Sequence, residues 1–177
     1  MTLRPVLHDF RRSLSVGEAG ERWFRAWACD AFPGLRVDRA APQRDQAGID
    51  FEVARGSTWQ LKWERRARET GNVFVETVAS IEREAPGWGV DCAAEWLFVA
   101  CPGLGVIFQL RPPQIAAVVD EWRKLYGERD VRNAGWTTRG VAVPIAAFGQ
   151  AADRTYWSNQ LRESDLADLF GSWPAPD

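Results

Sequence analysis

The sequence predicts an α/β sandwich built on a central mixed β-sheet flanked by helices. Three observations carry that expectation. With 177 residues, 46% of them hydrophobic, the chain is long enough for one domain with a real core and short for two. β-type runs at 49–54, 58–64, 73–80, 95–101 and 106–110 lie between stretches of helical apolar spacing at 15–32 and 112–127. The resulting order (α, β, β, β, a crossover, then β, β, α) is not a regular βαβ array. A single domain over 1–177 is expected, with its core at about 15–127 and a C-terminal extension at about 128–177.

Residues 1–14 read as an arm or short strand. "SVGEAGERWFRAWACDAF" (15–32) follows as a helix: Ser15 and Glu18 make a capping box, and Ala19, Trp23, Ala26 and Trp27 fall on one stripe. Pro33-Gly34 ends it. "LRVDR" (35–39) is a short strand or an extended lead-in, and "APQRDQAG" (41–48) a loop. Strands at 49–54 and 58–64 form a hairpin, a charged loop spans 64–72, and "VFVETVAS" (73–80) is the third strand. A linker (81–94) leads to the apolar strands 95–101 and 106–110, joined by "PGLG". "PPQIAAVVDEWRKLYG" (112–127) opens on prolines, carries Ile115, Val118, Val119 and Trp122 on one stripe, and stops at Gly127. Residues 141–148 are a strand or edge, and 164–170 a short Ser-capped helix before a frayed tail.

Composition narrows the function. No run of about 18 apolar residues exists to span a membrane, and the N-terminus lacks a signal-peptide core. A soluble, cytoplasmic protein without membrane partners is expected. Cys29, Cys92 and Cys101 show no CxxC spacing and read as buried free thiols rather than a disulfide or zinc site. A lone histidine, His8, argues against a His-based zinc centre or catalytic triad. The net charge of −2 means that any nucleic-acid contact is a local patch on an acidic background. Arginine supplies nearly all the positive charge, and Lys62 and Lys124 are the only lysines. A lysine kept in mid-strand points to a need for a compact ammonium. Most of the ten tryptophans are expected in the core: Trp23, Trp27, Trp59, Trp63, Trp96 and Trp122. Trp88 and Trp136, in loops, either stack on unpaired bases or cap the core edge.

The hairpin "GIDFEVARGSTWQLKW" (48–63) is the most informative stretch. Alternation puts Phe51, Val53, Trp59, Leu61 and Trp63 on one face and Asp50, Glu52, Gln60, Lys62 and Glu64 on the other. A three-residue connection, Arg55-Gly56-Ser57, is expected, with Asp50 opposite Lys62, Glu52 opposite Gln60, Phe51 opposite Leu61 and Val53 opposite Trp59. The polar face suits Mg²⁺ and phosphate chemistry. Asp50 offers a carboxylate, Gln60 an amide oxygen and Leu61 a strand-edge carbonyl, the hard ligands Mg²⁺ takes beside water and substrate phosphate. Lys62 would orient or help deprotonate the attacking water, or stabilise charge on the phosphorane. A solvated face with cross-strand ion pairs is the plainer alternative. Arg65, Arg66 and Arg68 follow at once as a patch to grip DNA phosphates or as an ordinary charged loop, and Arg11 and Arg12 as a second grip or a solvated arm.

Asp, then about ten residues, then Gln-x-Lys on the next strand resembles the PD-(D/E)XK nuclease superfamily. "DQAGIDF" followed by "QLK" looks most like Mrr-like endonucleases, and "TGNVFVE…GW…EWLFVA" is similar to phage-type nucleases that include Holliday-junction resolvases. The resemblance covers about residues 15–110 and implies a restriction-endonuclease-like αβββαβ core. It implies a metal-dependent DNA endonuclease that uses Mg²⁺, with Mn²⁺ as an alternative. Asp50 would be the principal metal ligand, Gln60 a second-strand ligand, Lys62 the catalytic lysine and Glu18, or else Glu21, the helical acid at the metal. Ile49 replaces the proline of the family name. Gln60 removes one negative charge, for which Glu52 or Glu76 would compensate. Branched DNA cut by a homodimer is the preferred reading; a sequence-reading restriction-type endonuclease and a catalytically silent binding protein are the rivals.

Overall fold

The computed structural model describes residues 10–45 and 47–161. In chain order they form α1 (Phe10–Ala31), β1 (Val37–Arg39), α2 (Pro42–Asp45), β2 (Phe51–Val53), β3 (Ser57–Trp63), α3 (Ala67–Thr70), β4 (Asn72–Ser80), β5 (Ala85–Pro86), β6 (Trp96–Cys101) and β7 (Val106–Leu110). Then come α4 (Pro112–Tyr126), β8 (Glu128–Arg132), β9 (Thr137–Pro144), α5 (Ile145–Gln150) and β10 (Arg154–Trp157). The expected helix at 164–170 and His8 lie outside the described residues.

The protein is mixed α/β. Its central six-stranded sheet has the order β1-β2-β3-β6-β7-β10, antiparallel throughout except for the parallel pair β3–β6. A second sheet, β5-β4-β9-β8, is wholly antiparallel. Strand β6 is buried on both faces, as its unbroken apolar run "WLFVAC" requires. On one face Phe98 and Ala100 join Phe24, Trp27 and Ala28 of α1 and Phe51, Val53, Trp59 and Leu61 of the hairpin. There the Phe24 ring lies 5.0 Å from Phe98 and 5.4 Å from Phe51, and Trp59 lies 4.8 Å from Phe98. On the other face Leu97, Val99 and Cys101 pack against Val73 and Val75 of β4, Val141 and Val143 of β9, and Ile115, Val119 and Trp122 of α4. The central sheet is thus sandwiched between α1 and a layer made of the second sheet with α4. Among the described residues no helix is long and apolar enough to cross a membrane.

Several expectations are corrected. Helix α1 begins at Phe10, not at 15, so Ser15 lies inside it and the capping box with Glu18 does not form. "FRRSL" contains no Gly or Pro, and a helix-interior Ser costs only about 0.5 kcal/mol against Ala, so nothing stops the helix there. Its buried face runs through Phe24 and Ala28, while Ala26 is exposed. The 41–48 loop and the 64–72 loop each hold a helical turn, α2 and α3. The hairpin turns at Ala54–Gly56, and its register is Phe51↔Trp59, Glu52↔Thr58 and Val53↔Ser57, a slip of two from the expected pairing. A slip of two preserves both faces, because side chains alternate with a period of two.

The three antiparallel strands before the parallel pair are β1, β2 and β3. The expected third strand, β4, leaves the central sheet and pairs with β5 and β9 in the second. The crossover from β3 to β6 therefore runs through strands of another sheet. Residues 141–148 divide: β9 is interior to the second sheet, between β4 and β8, and a helix starts at Ile145. The short strands β5, β8 and β10 carried too little apolar alternation to be read; β8, "ERDVR", is an almost wholly exposed edge. Of the cysteines expected to be buried, Cys101 is, Cys92 is half-buried and Cys29 is exposed.

Candidate functional site

The site lies where β2 stops pairing with β3. Asp50 precedes β2, and its N–H donates to the Trp59 carbonyl at 2.9 Å, the last rung of the ladder. Leu61, two residues on along the same strand edge, is left without a backbone partner from β2. Its N–H donates instead to Asp50 Oδ2 at 2.6 Å. The Leu61 carbonyl points to the same side as its N–H, because both groups of a strand residue share an edge. One carboxylate and one carbonyl thus flank a single gap at the end of β2.

The Gly-Ile-Asp sequence has a local physical reason. Gly48 takes φ +76°, and a Cβ there would stand 2.7 Å from Gln60 Nε2. Only glycine accepts both the left-handed backbone and the close approach. Ile49 is buried in a small cluster with Ala40 and Ala94, against Cys92, which anchors the turn. Gln60, only 6% exposed, accepts a hydrogen bond from the Cys92 thiol at 3.2 Å. Burial raises the pKa of that thiol, opposed by a backbone hydrogen bond at Ala94 and by the positive charge of Lys62.

The polar face of the hairpin is not an open solvated surface. Gln60 and Lys62 share a face with Leu97 and Val99, their neighbours on β6, and that face is turned toward the second sheet. Lys62 and Glu76 are half-buried there. Desolvation raises the Glu76 carboxyl above its ordinary range, and the positive charge of Lys62 acts in the opposite direction. Glu64 ties the layers together: its carboxylate accepts the Phe74 N–H of β4 and the Arg66 N–H, each at 3.1 Å. Its pKa too is raised by burial, against the pull of those hydrogen bonds.

The remaining predicted residues are placed as follows. Glu21 pairs with Arg39 at 3.1 Å, and Arg39 is the partner of Phe51 on β2. Glu18, one helical turn earlier on α1, is half-buried. Glu52 is exposed and pairs with Arg44 at 2.9 Å, away from Lys62. Arg65 is half-buried and Arg66 and Arg68 are exposed, all just past the end of β3; Arg66 also makes a long 3.7 Å pair with Glu69. Trp88 is a core residue, 6% exposed, and Trp136 is half-buried. Cys92 is the neighbour that sequence reasoning missed, for no spacing connects a thiol in the crossover to Gln60.

Among the described residues no three His, Cys, Asp or Glu side chains converge as a metal-binding group. The donors around Asp50 are of another kind: its own carboxylate on the Leu61 N–H, the Leu61 carbonyl on the same edge and, on the neighbouring face, Gln60, whose amide oxygen takes the Cys92 thiol. Those are hard oxygens, and one carboxylate with neutral donors fits Mg²⁺, which keeps several waters and shares its substrate's phosphate. Comparison of the chain with protein-family models, with curated proteins and with solved structures found no match in any of the three.

Proposed function

We propose that this protein is a metal-dependent DNA endonuclease with a restriction-endonuclease-like core, acting on branched DNA as a homodimer. The observation that carries the reading is the seating of the Asp50 carboxylate on the Leu61 N–H, between Gln60 and Lys62. It joins the two halves of the Asp…Gln-x-Lys pattern at the ends of neighbouring strands. The order α1, then antiparallel β1-β2-β3, then β6 parallel to β3 adds support; strands β4 and β5, where the superfamily has its crossover helix, depart from the expected αβββαβ core.

In this reading Asp50, Gln60 and Leu61 hold the cation, with Glu18 as an outer ligand. Mg²⁺, or Mn²⁺, would supply Lewis-acid activation of the scissile phosphodiester. Lys62 orients the attacking water and stabilises charge as it develops on phosphorus. Arg65, Arg66 and Arg68 grip flanking phosphates. Branched DNA is preferred because the segment after α4 is spent on β8, β9 and β10, strands of the two sheets. Among the described residues this leaves no separate module for reading base sequence.

The test is incubation with a labelled four-way junction and the matching linear duplex, in Mg²⁺ or EDTA, beside Lys62→Ala and Asp50→Asn. Metal-dependent paired nicks in the junction, reduced about 10²–10³-fold in either variant, are expected. Cutting of the duplex at defined sequences would favour a restriction-type enzyme. Junction binding without cleavage would favour the silent binding protein, and neither binding nor cleavage would overturn the reading.

A further inference from the structure

We infer that Cys92, in the segment between β5 and β6, is the positioning residue for Gln60, fixing the orientation of its side-chain amide. An amide turned over by half a turn exchanges its oxygen for its nitrogen, and only the oxygen can bind a cation. Gln60 is 6% exposed, so its protein neighbours rather than water choose the orientation. Two neighbours hold the two ends. The Cys92 thiol donates to Gln60 Oε1 at 3.2 Å. Nε2 lies against Gly48, 2.7 Å from where a Cβ would stand, so the turn before Asp50 closes on the nitrogen end. The two holds are joined to each other. Cys92 packs against the cluster of Ala40, Ile49 and Ala94, and Ile49 follows Gly48 in the chain.

A thiol suits that task. It has one proton to give, and its sulfur is only a weak acceptor. Burial keeps Cys92 protonated, and the backbone hydrogen bond at Ala94 falls on the sulfur, which leaves the S–H for Gln60. Turned over, the amide would set Nε2 on that weak acceptor and Oε1 against Gly48, a poorer match at both ends. The Gln60 carbonyl has two lone pairs; the thiol takes one and leaves the other for a cation. A carboxylate at position 60 would present two equivalent oxygens and need no guide, so it is the amide that gives Cys92 its role. The bearing on metal binding rests on the nuclease reading; the hydrogen bond itself does not.

The S–H stretch falls in an infrared window clear of other protein bands and reads the bond directly. Loss of one band in Cys92→Ala identifies the Cys92 thiol among the three cysteines. In the wild-type protein that band should lie below the free-thiol frequency, and it should move up in Gln60→Leu and Gln60→Met. Calorimetric titration with Mg²⁺ alone reads the consequence. Cys92→Ala should weaken binding about three- to tenfold, and Cys92→Ser, which keeps a donor, by no more than about twofold. With Gln60→Glu already in place, Cys92→Ala should change the affinity by less than about twofold, an outcome that mere packing by Cys92 would not give. A wild-type Cys92 band at the free-thiol frequency overturns the inference. So does a band that neither folded Gln60 variant moves, or an equal loss of affinity in both backgrounds. Cys92-dependent Mg²⁺ binding in a protein that cuts no DNA would uphold the positioning and reject the nuclease. Metal-dependent cleavage indifferent to Cys92→Ala would do the reverse, and a wild-type protein that binds no Mg²⁺ would reject both.

Discussion

Asp50 serves the fold as well as the proposed chemistry. Its carboxylate is the acceptor that the Leu61 N–H has at the end of β2. Asp50→Ala leaves that N–H unpaired and should cost about 1–3 kcal/mol in urea denaturation. Asp50→Asn retains an acceptor oxygen and should stay within about 0.5 kcal/mol of wild type. That contrast makes Asp50→Asn the variant whose loss of activity reports on chemistry rather than folding. The cysteines divide just as sharply. Burial, helped by Glu64, pushes the Cys101 thiol up to about 12, so almost no thiolate forms at neutral pH. A thiol-reactive chromophore should therefore label exposed Cys29 first and Cys101 only on unfolding, and mass spectrometry would assign the order. Gln60 was legible as a member of the polar face because alternation needs only parity. Its bond to Cys92 was not, because the partners come from strand and loop far apart in sequence.

At the scale of elements, the crossover from β3 to β6 decides what the site looks like. A Cβ on Gly87 would stand 2.2 Å from the Glu76 carbonyl oxygen and 2.8 Å from the Thr77 nitrogen, both backbone atoms with little room to yield. Gly87→Ala should destabilise by about 1–3 kcal/mol, read as a lowered urea midpoint. The turn after β4 is tied to β9 by Glu82, whose carboxylate accepts the Thr137 N–H at 2.7 Å and the Ser80 hydroxyl at 3.2 Å. The Thr137 bond lowers the Glu82 pKa from its ordinary 4.5 to about 2. A carboxyl depressed in the folded state contributes stability that is complete above its unfolded value and fades as pH falls through the folded one. Between about pH 4.5 and 2, wild-type stability should therefore fall more steeply than that of Glu82→Gln. Equal slopes in urea midpoints across that window would remove Glu82 from the account. The hairpin's faces were readable for the same reason that its register was not: parity survives a slip of two, whereas the pairing depends on where the turn forms. Positive φ at Arg55 and Gly56 puts that turn at Ala54–Gly56, one position ahead of the expected connection.

At the scale of the molecule, β6 is the strand on which both layers depend. Phe98, with no exposed surface, meets Phe24 and Trp27 of α1 and Trp59 of the hairpin. Phe98→Ala should cost about 3–5 kcal/mol. Because the same ring joins the helix to the strand that carries Lys62, unfolding followed by tryptophan fluorescence and by circular dichroism should still coincide in the variant. Non-coincident transitions would mean that α1 and the sheet unfold as separate units.

Residue order along the chain was enough to determine the mixed α/β class, the two main helices, the central apolar strands and the division of the hairpin into an aromatic face and a polar one. Each follows from local periodicity, which side-chain geometry enforces within a single element. Tertiary structure alone decided that β4 abandons the central sheet, that the segment after α4 completes both sheets, and that the polar face turns toward the second sheet, with Cys92 on Gln60, instead of facing water. Those outcomes turn on pairing between strands distant in sequence. Several partners offer similar apolar surface to such a strand, and the choice among them is made by how all the faces are buried together.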